Sequence, residues 1–175
     1  MEQIPETKRA STIICQKSEV TANIKFGQGC IIHPNSAIIA EGGDIVIGDY
    51  NIIEERVNIV NRKNKESPSK NKTMIIGSYN MFEVGSKIDT CDIGDFNTFE
   101  ARCIVEQGCI IKNKCSIGST IKIPQNTVLD EKKIHFPDKV IKEMNFDEQK
   151  YKKNIIQMHQ ALSILIPQNN PCKTI

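Results

Sequence analysis

The sequence predicts an all-β fold, a stack of triangular coils with one helix at its C-terminal end, and two observations carry that prediction. The first is composition: the 175 residues include 30 Ile, 8 Val and only 3 Leu, with no Trp. Helical bundles fill their cores with Leu, whereas Ile is β-branched, stiff at χ1 and suited to a pleated surface. The second is a period of six. Ile93, Phe99, Val105, Ile111, Ile117, Ile123 and Leu129 form one unbroken apolar run, and Ile14, Val20, Phe26, Ile32 and Ile38 form another. Ile47, Ile53 and Ile59, then Ile76, Phe82 and Ile88, extend the pattern. Ile, Val, Leu and Phe supply 47 of the 175 residues, so a run of seven arises by chance roughly once in ten thousand tries per frame.

Four residues after each large position stands a smaller side chain, among them Cys30, Ser36, Asn51, Val57, Asn80, Ser86, Asn97, Cys103, Cys109, Cys115 and Thr127. Gly often follows the large residue directly, as at Gly27, Gly48, Gly77, Gly94 and Gly118. This hexapeptide signature resembles that of the left-handed parallel β-helix, in which three hexapeptides make a coil of about 18 residues and coils stack at about 4.8 Å. On that reading the large residue fills a corner, the small one fits the middle of a face, and Gly eases the turn. Residues 1–10 form an N-terminal arm, and residues 11–137 form about six coils.

The remaining elements follow in order. Between Ile59 and Ile76 the segment 61–73 carries five basic residues and one acid but almost nothing apolar, so it is expected to protrude as a solvated loop. Within it, Ser67-Pro68-Ser69-Lys70 matches a proline-directed phosphorylation site at Ser67. After Pro137 the period changes: Tyr151, Ile155, Met158, Leu162 and Leu165 recur at spacings of four and three. That pattern predicts an amphipathic helix within 138–167, ended by Pro167 and packed on the coil stack. Residues 168–175 read as a frayed tail.

Charge excludes more than it suggests. A net charge of +2 and a pI near 8.1 leave no footprint for nucleic acid or an anionic membrane. No window approaches the apolar length of a membrane span, which argues against membrane insertion, and Met1–Glu6 lacks the features of a signal peptide. Seven cysteines without a secretory signal read as free cytosolic thiols in a soluble intracellular protein.

A longer repeat lies over the hexapeptides. Gly48-Asp49-Tyr50-Asn51-Ile52-Ile53-Glu54 recurs as Gly77-Ser78-Tyr79-Asn80-Met81-Phe82-Glu83 and as Gly94-Asp95-Phe96-Asn97-Thr98-Phe99-Glu100. Stacked coils would turn these copies into an inward structural ladder of Asn51, Asn80 and Asn97 and an outward strip of Tyr50, Tyr79 and Phe96. They would also align Glu54, Glu83 and Glu100 in a column of like charge, which suggests either a basic partner or a hydrated edge.

These segments, with Ile38–Glu55, Met74–Gly85 and more weakly Leu162–Pro167, resemble the dynactin subunit 6 family. The resemblance covers about residues 11–130 and implies a non-catalytic role with no cofactor. It implies a place beside the sister β-helical subunit, dynactin subunit 5, near the pointed-end actin-related protein and the scaffold subunit. That complex helps dynein engage cargo adaptors and cargo and move along microtubules, which puts the protein in the cytoplasm on the cytoskeleton.

An enzyme reading is weighed beside it, because hexapeptide folds also host homotrimeric acyltransferases and zinc carbonic anhydrases. A zinc site needs about three converging ligands. Of His33, His135 and His159, only His33 lies well inside the coil region. An acyltransferase of this fold needs a general base, usually a His near an extended loop, and the loop has none. Cys103, Cys109 and Cys115 stand on three faces of one coil, where they are expected either to pack as small hydrophobes or to form a soft thiolate site for zinc or copper(I).

Overall fold

The computed structural model describes residues 10–63, 71–89, 92–136 and 141–175. Strands of two to four residues alternate with two-residue turns and wind into three parallel faces, a left-handed β-helix of about six coils. On the first face Ile14, Ile32, Ile53, Phe82, Phe99, Ile117 and His135 stand in register. The second face aligns Val20, Ile38, Ile59, Ile88, Val105 and Ile123. The third aligns Phe26, Ile47, Ile76, Ile93, Ile111 and Leu129. Every six-spaced residue singled out in the sequence falls in one of these columns, and most are fully buried in one continuous core. Phe82 and Phe99 stack within it, with ring centroids 4.6 Å apart.

The corner chemistry differs from the expectation. In most strands the large residue comes last, and one residue and a two-residue turn separate it from the small residue. The large side chain reaches the prism axis only from a straight strand, so it cannot occupy the corner itself. The second turn residue is left-handed in coil after coil, with φ between 53° and 64° at Asn35, Tyr50, Arg56, Tyr79, Phe96, Arg102, Lys114, Thr120, Asn126 and Lys132. Gly27, Gly48, Gly77 and Gly94 serve a different purpose from the one expected, since none of them is left-handed. They permit close approach between coils: a Cβ on Gly48 would lie 2.8 Å from the backbone of Gly77, and one on Gly77 2.6 Å from the Gly94 carbonyl.

Both ends of the first face are closed by the chain itself. Cys172–Thr174 pairs antiparallel with Ile13–Cys15, and Ile141–Glu143 pairs antiparallel with Lys133–His135. The C-terminal residues are therefore an edge strand, where a frayed tail was expected. The backbone amides of Ile13–Cys15 need partners, and a strand of almost any composition supplies them. The second and third faces end at Lys122–Ile123 and Val128–Leu129, with no further strand paired to them among the described residues.

The terminal helix spans Glu148–Asn169, beginning later than 138 because the chain first forms the edge strand Ile141–Glu143. Asp147 caps it by accepting the Lys150 amide at 3.0 Å. The helix also runs past Pro167, whose missing N–H falls in the last turn, and Asn170 N–H closes it on Ile166 O at 2.9 Å. The basic segment lies between Asn58–Asn61 and Met74–Ile76, and its residues 64–70 are outside the described residues. Buried Asn61 pins its base, donating to the carbonyls of Gly43, Asp44 and Lys72 at 2.9–3.1 Å. Ser67 and nearly all of the N-terminal arm lie outside the described residues.

Candidate functional site

The repeated Gly-x-aromatic-Asn segments build one edge of the prism, where the third face turns into the first. Asn51 Oδ1 accepts both the backbone N–H and the Nδ2 of Asn80 at 3.0 Å; Asn80 Oδ1 accepts the Asn97 amide at 2.9 Å, and Asn97 Oδ1 the Cys115 amide at 2.7 Å. A parallel chain runs beside this ladder. Asn113 Oδ1 accepts the Asp95 amide, Asp95 the Ser78 amide, Ser78 Oγ the Asp49 amide, and Asp49 the Gln28 amide, all at 2.7–3.0 Å. This second chain is absent from the sequence reading, although the polar residue after each Gly is its signal.

Tyr50, Tyr79 and Phe96 stack outside the edge, with ring centroids 5.3 Å apart and planes 11° from parallel at each step. The strip is covered by the terminal helix. Tyr151 meets Phe96 edge-on at 6.2 Å, and His159 meets Tyr50 edge-on at 5.5 Å. Lys152 Nζ lies 5.2 Å from the Phe96 centroid and 5.5 Å from that of Tyr79. Tyr151, Ile155, Leu162 and Ile166 pack on the outer side of the first face against Ile13, Ile31, Ile52 and Met81. The buried stripe therefore uses His159 and Ile166, whereas Met158 and Leu165 of the expected stripe point to solvent. Helical rotation decides this: 151, 155, 159, 162 and 166 keep one heading over four turns.

The carboxylates lie on the next edge, between the first and second faces, and so do not share an edge with the rings. Each holds the coil that follows. Glu54 accepts the Val84 amide at 2.9 Å, Glu83 the Ala101 amide at 3.1 Å, and Glu100 the Ser119 amide at 3.0 Å. Burial pushes the Glu83 carboxyl above its ordinary value, as do its neighbours Glu100 and Glu54, and only the Ala101 amide opposes them.

The three histidines lie in separate surroundings. His33 Nδ1 lies 3.1 Å from Glu55 Oε1. Burial opposes ionisation of that carboxyl, yet the His33 hydrogen bond and a backbone amide hold it below its ordinary value overall. His159 Nε2 faces the Ser11 carbonyl at 3.2 Å. His135 borders an open apolar cleft of about 750 Å³ at the C-terminal end of the stack, lined also by Ile121, Val128, Phe136 and Ile141. Cys103, Cys109 and Cys115 are buried, and burial pushes Cys103 up to about 12 and raises Cys109 and Cys115. Cys109 and Cys115 donate their thiol protons to the Pro124 and Asp130 carbonyls at 3.2 and 3.1 Å. Among the described residues no three His, Cys, Asp or Glu side chains are grouped to hold a metal ion.

Comparison with known proteins adds what the geometry alone does not. The chain is 39% identical over 130 residues to dynactin subunit 6 of Nematostella vectensis, a match covering 69% of this chain and 71% of that protein. It belongs to the dynactin subunit 6 family. Dynactin subunit 6 of Danio rerio is 35% identical over 69% of this chain and 67% of its own length, and that of Dictyostelium discoideum is 43% identical over 70% and 62%. No family model matches the chain. Among solved structures, a hexapeptide transferase family protein from Anaplasma phagocytophilum superposes with a TM-score of 0.55 at 13% identity, covering 87% of this chain and 93% of that one. That likeness shows the coil architecture of this family member and nothing of its chemistry. No helix among its described residues is long and apolar enough to cross a membrane.

Proposed function

We propose that the protein is a non-catalytic structural subunit of the dynactin pointed-end complex. There it supports dynein–dynactin cargo engagement and microtubule-based transport through protein–protein contacts. The observation that carries this reading is its match with dynactin subunit 6 relatives along about two thirds of the chain. The candidate residues Tyr50, Tyr79 and Phe96 act on this reading as an internal dock for the terminal helix, and Glu54, Glu83 and Glu100 as caps between coils. Contacts with other subunits fall instead on surfaces that remain open. The foremost is the C-terminal coil end, where Lys122–Ile123 and Val128–Leu129 are edge strands among the described residues and Val128 and Ile141 are exposed. Its proposed occupant is the sister β-helical subunit, with the pointed-end actin-related protein and the scaffold subunit nearby.

Affinity purification of the tagged full chain from its native cells tests the proposal. Recovery of dynactin pointed-end components is expected, and Val128→Lys combined with Ile141→Lys should lose the sister subunit while leaving the far-ultraviolet circular dichroism unchanged. Recovery of a homotrimer without dynactin components would overturn it. So would an acyl-transfer or hydratase activity abolished by replacing His33, His135 and His159.

A further inference from the structure

The strand that closes the first coil brings two cysteines face to face. In the antiparallel pairing of Ile13–Cys15 with Cys172–Thr174, Cys15 stands directly opposite Cys172. The backbone hydrogen bonds define the kind of pair. Thr12 and Ile175 exchange both of theirs at 3.0 Å, and Gln16 N–H donates to Pro171 O at 2.8 Å. By alternation, 13–174 and 15–172 are the non-hydrogen-bonded pairs, in which Cα atoms approach to about 4.5 Å and the side chains stand on the same side. A disulfide needs Cα atoms about 4.4–6.8 Å apart, so this position accepts one without moving the backbone. No other pair of cysteines faces across strands in the registers of the described residues. Cys30, Cys103, Cys109 and Cys115 belong to the interior core instead.

We propose that Cys15 and Cys172 form a thiol pair that oxidises to a cross-strand disulfide, locking the C-terminal strand onto the first coil. Cys15 is fully buried beneath the end of the terminal helix, whereas Cys172 is half-buried and is the thiol that an oxidant reaches first. With oxidised glutathione as the oxidant, Cys172 loses its proton and attacks one sulfur of the glutathione disulfide, releasing one reduced glutathione. Cys15 then loses its proton and attacks the Cys172 sulfur of the mixed disulfide, releasing the second. The protein gives up two protons and two electrons, and glutathione takes both. In a reducing compartment the pair rests as two thiols. Burial and the neighbouring Cys15 hold the Cys172 thiol above its ordinary value, so alkaline pH, which raises the thiolate fraction, accelerates the reaction.

The bond would close a loop of almost the entire chain, the arrangement in which a cross-link restricts the unfolded state most. The test incubates the purified full chain with oxidised glutathione and maps its peptides under non-reducing conditions. A Cys15–Cys172 linked peptide is expected, together with a rise in Tm of roughly 5–15 °C that dithiothreitol reverses. Cys172→Ser should remove both effects. Because that residue is half-buried and serine is near its size, the variant keeps the fold, as hydrogen exchange of residues 13–15 would verify. A stable glutathione adduct on Cys172 with Cys15 still free, or linkage between other cysteines, would overturn the proposal.

Discussion

Asn80 sits between two coils and is committed to both, donating to Asn51 and accepting from the Asn97 amide. Replacing it with Ala leaves the buried Asn97 amide without a partner and takes from the Asn51 side-chain oxygen one of its two donors, the backbone N–H of residue 80 remaining. A cost of about 2–4 kcal/mol is expected from urea unfolding, with the m-value unchanged. Glu83 behaves differently, because its folded-state pKa is raised. The folded protein binds this proton more tightly than the unfolded chain, so the group favours folding at low pH. That advantage disappears as pH rises through the unfolded value and then the folded one. Glu83→Gln keeps an acceptor for the Ala101 amide and removes repulsion from Glu54 and Glu100. The variant should therefore gain stability on the wild type between pH 4 and pH 7, because it buries no charge and meets no repulsion, and a constant difference across that range would refute the raised pKa. Glu55 has the opposite sign: its lowered pKa contributes stability above the unfolded value that is lost as pH falls through the folded one.

The terminal helix is held by one face and by little intrinsic propensity, with polar His159 in its buried stripe and Pro167 in its last turn. Its attachment rests on Ile155 and Ile166, on the Tyr151 hydroxyl, which donates to the Asn97 carbonyl at 3.3 Å, and on ring contacts with the aromatic strip. Ile155→Ala removes the buried centre of that contact with Ile52 and Met81. It should destabilise by about 2–4 kcal/mol, and amide exchange across residues 148–169 should accelerate more than exchange in the coils. If exchange accelerated equally everywhere, helix and coils would be one cooperative unit. The spacing of Tyr151, Ile155 and Leu162 was enough to announce a helix. It could not fix the buried side, because His159 looks polar until the Tyr50 ring and the Ser11 carbonyl stand beside it.

At the scale of the molecule, the core was legible because side chains make it. Each Ile, Val or Phe at the sixth position must point to the axis, and the period repeats without reference to distant residues. The ends were not legible, because backbone makes them: Cys172–Thr174 and Ile141–Glu143 satisfy an edge through amides and carbonyls that carry no residue signature. The Glu column was visible as a like-charge puzzle, but its answer, an amide of the next coil beneath each carboxylate, needed three dimensions. Truncation after Asn169 should uncover the edge of Ile13–Cys15 while sparing the helix. Concentration-dependent association by light scattering is expected, and a monomer at all concentrations would show that the edge needs no cover.

The pairing of Ile175 with Thr12 also sets an order in time. A ribosome makes the first coil before the others, and every later coil can settle on the one before it as it emerges. The outer edge of the first coil waits until residues 172–175 have left the exit tunnel. Until then the nascent chain displays one unfinished strand, and that interval is when a chaperone or a neighbouring nascent chain would find it.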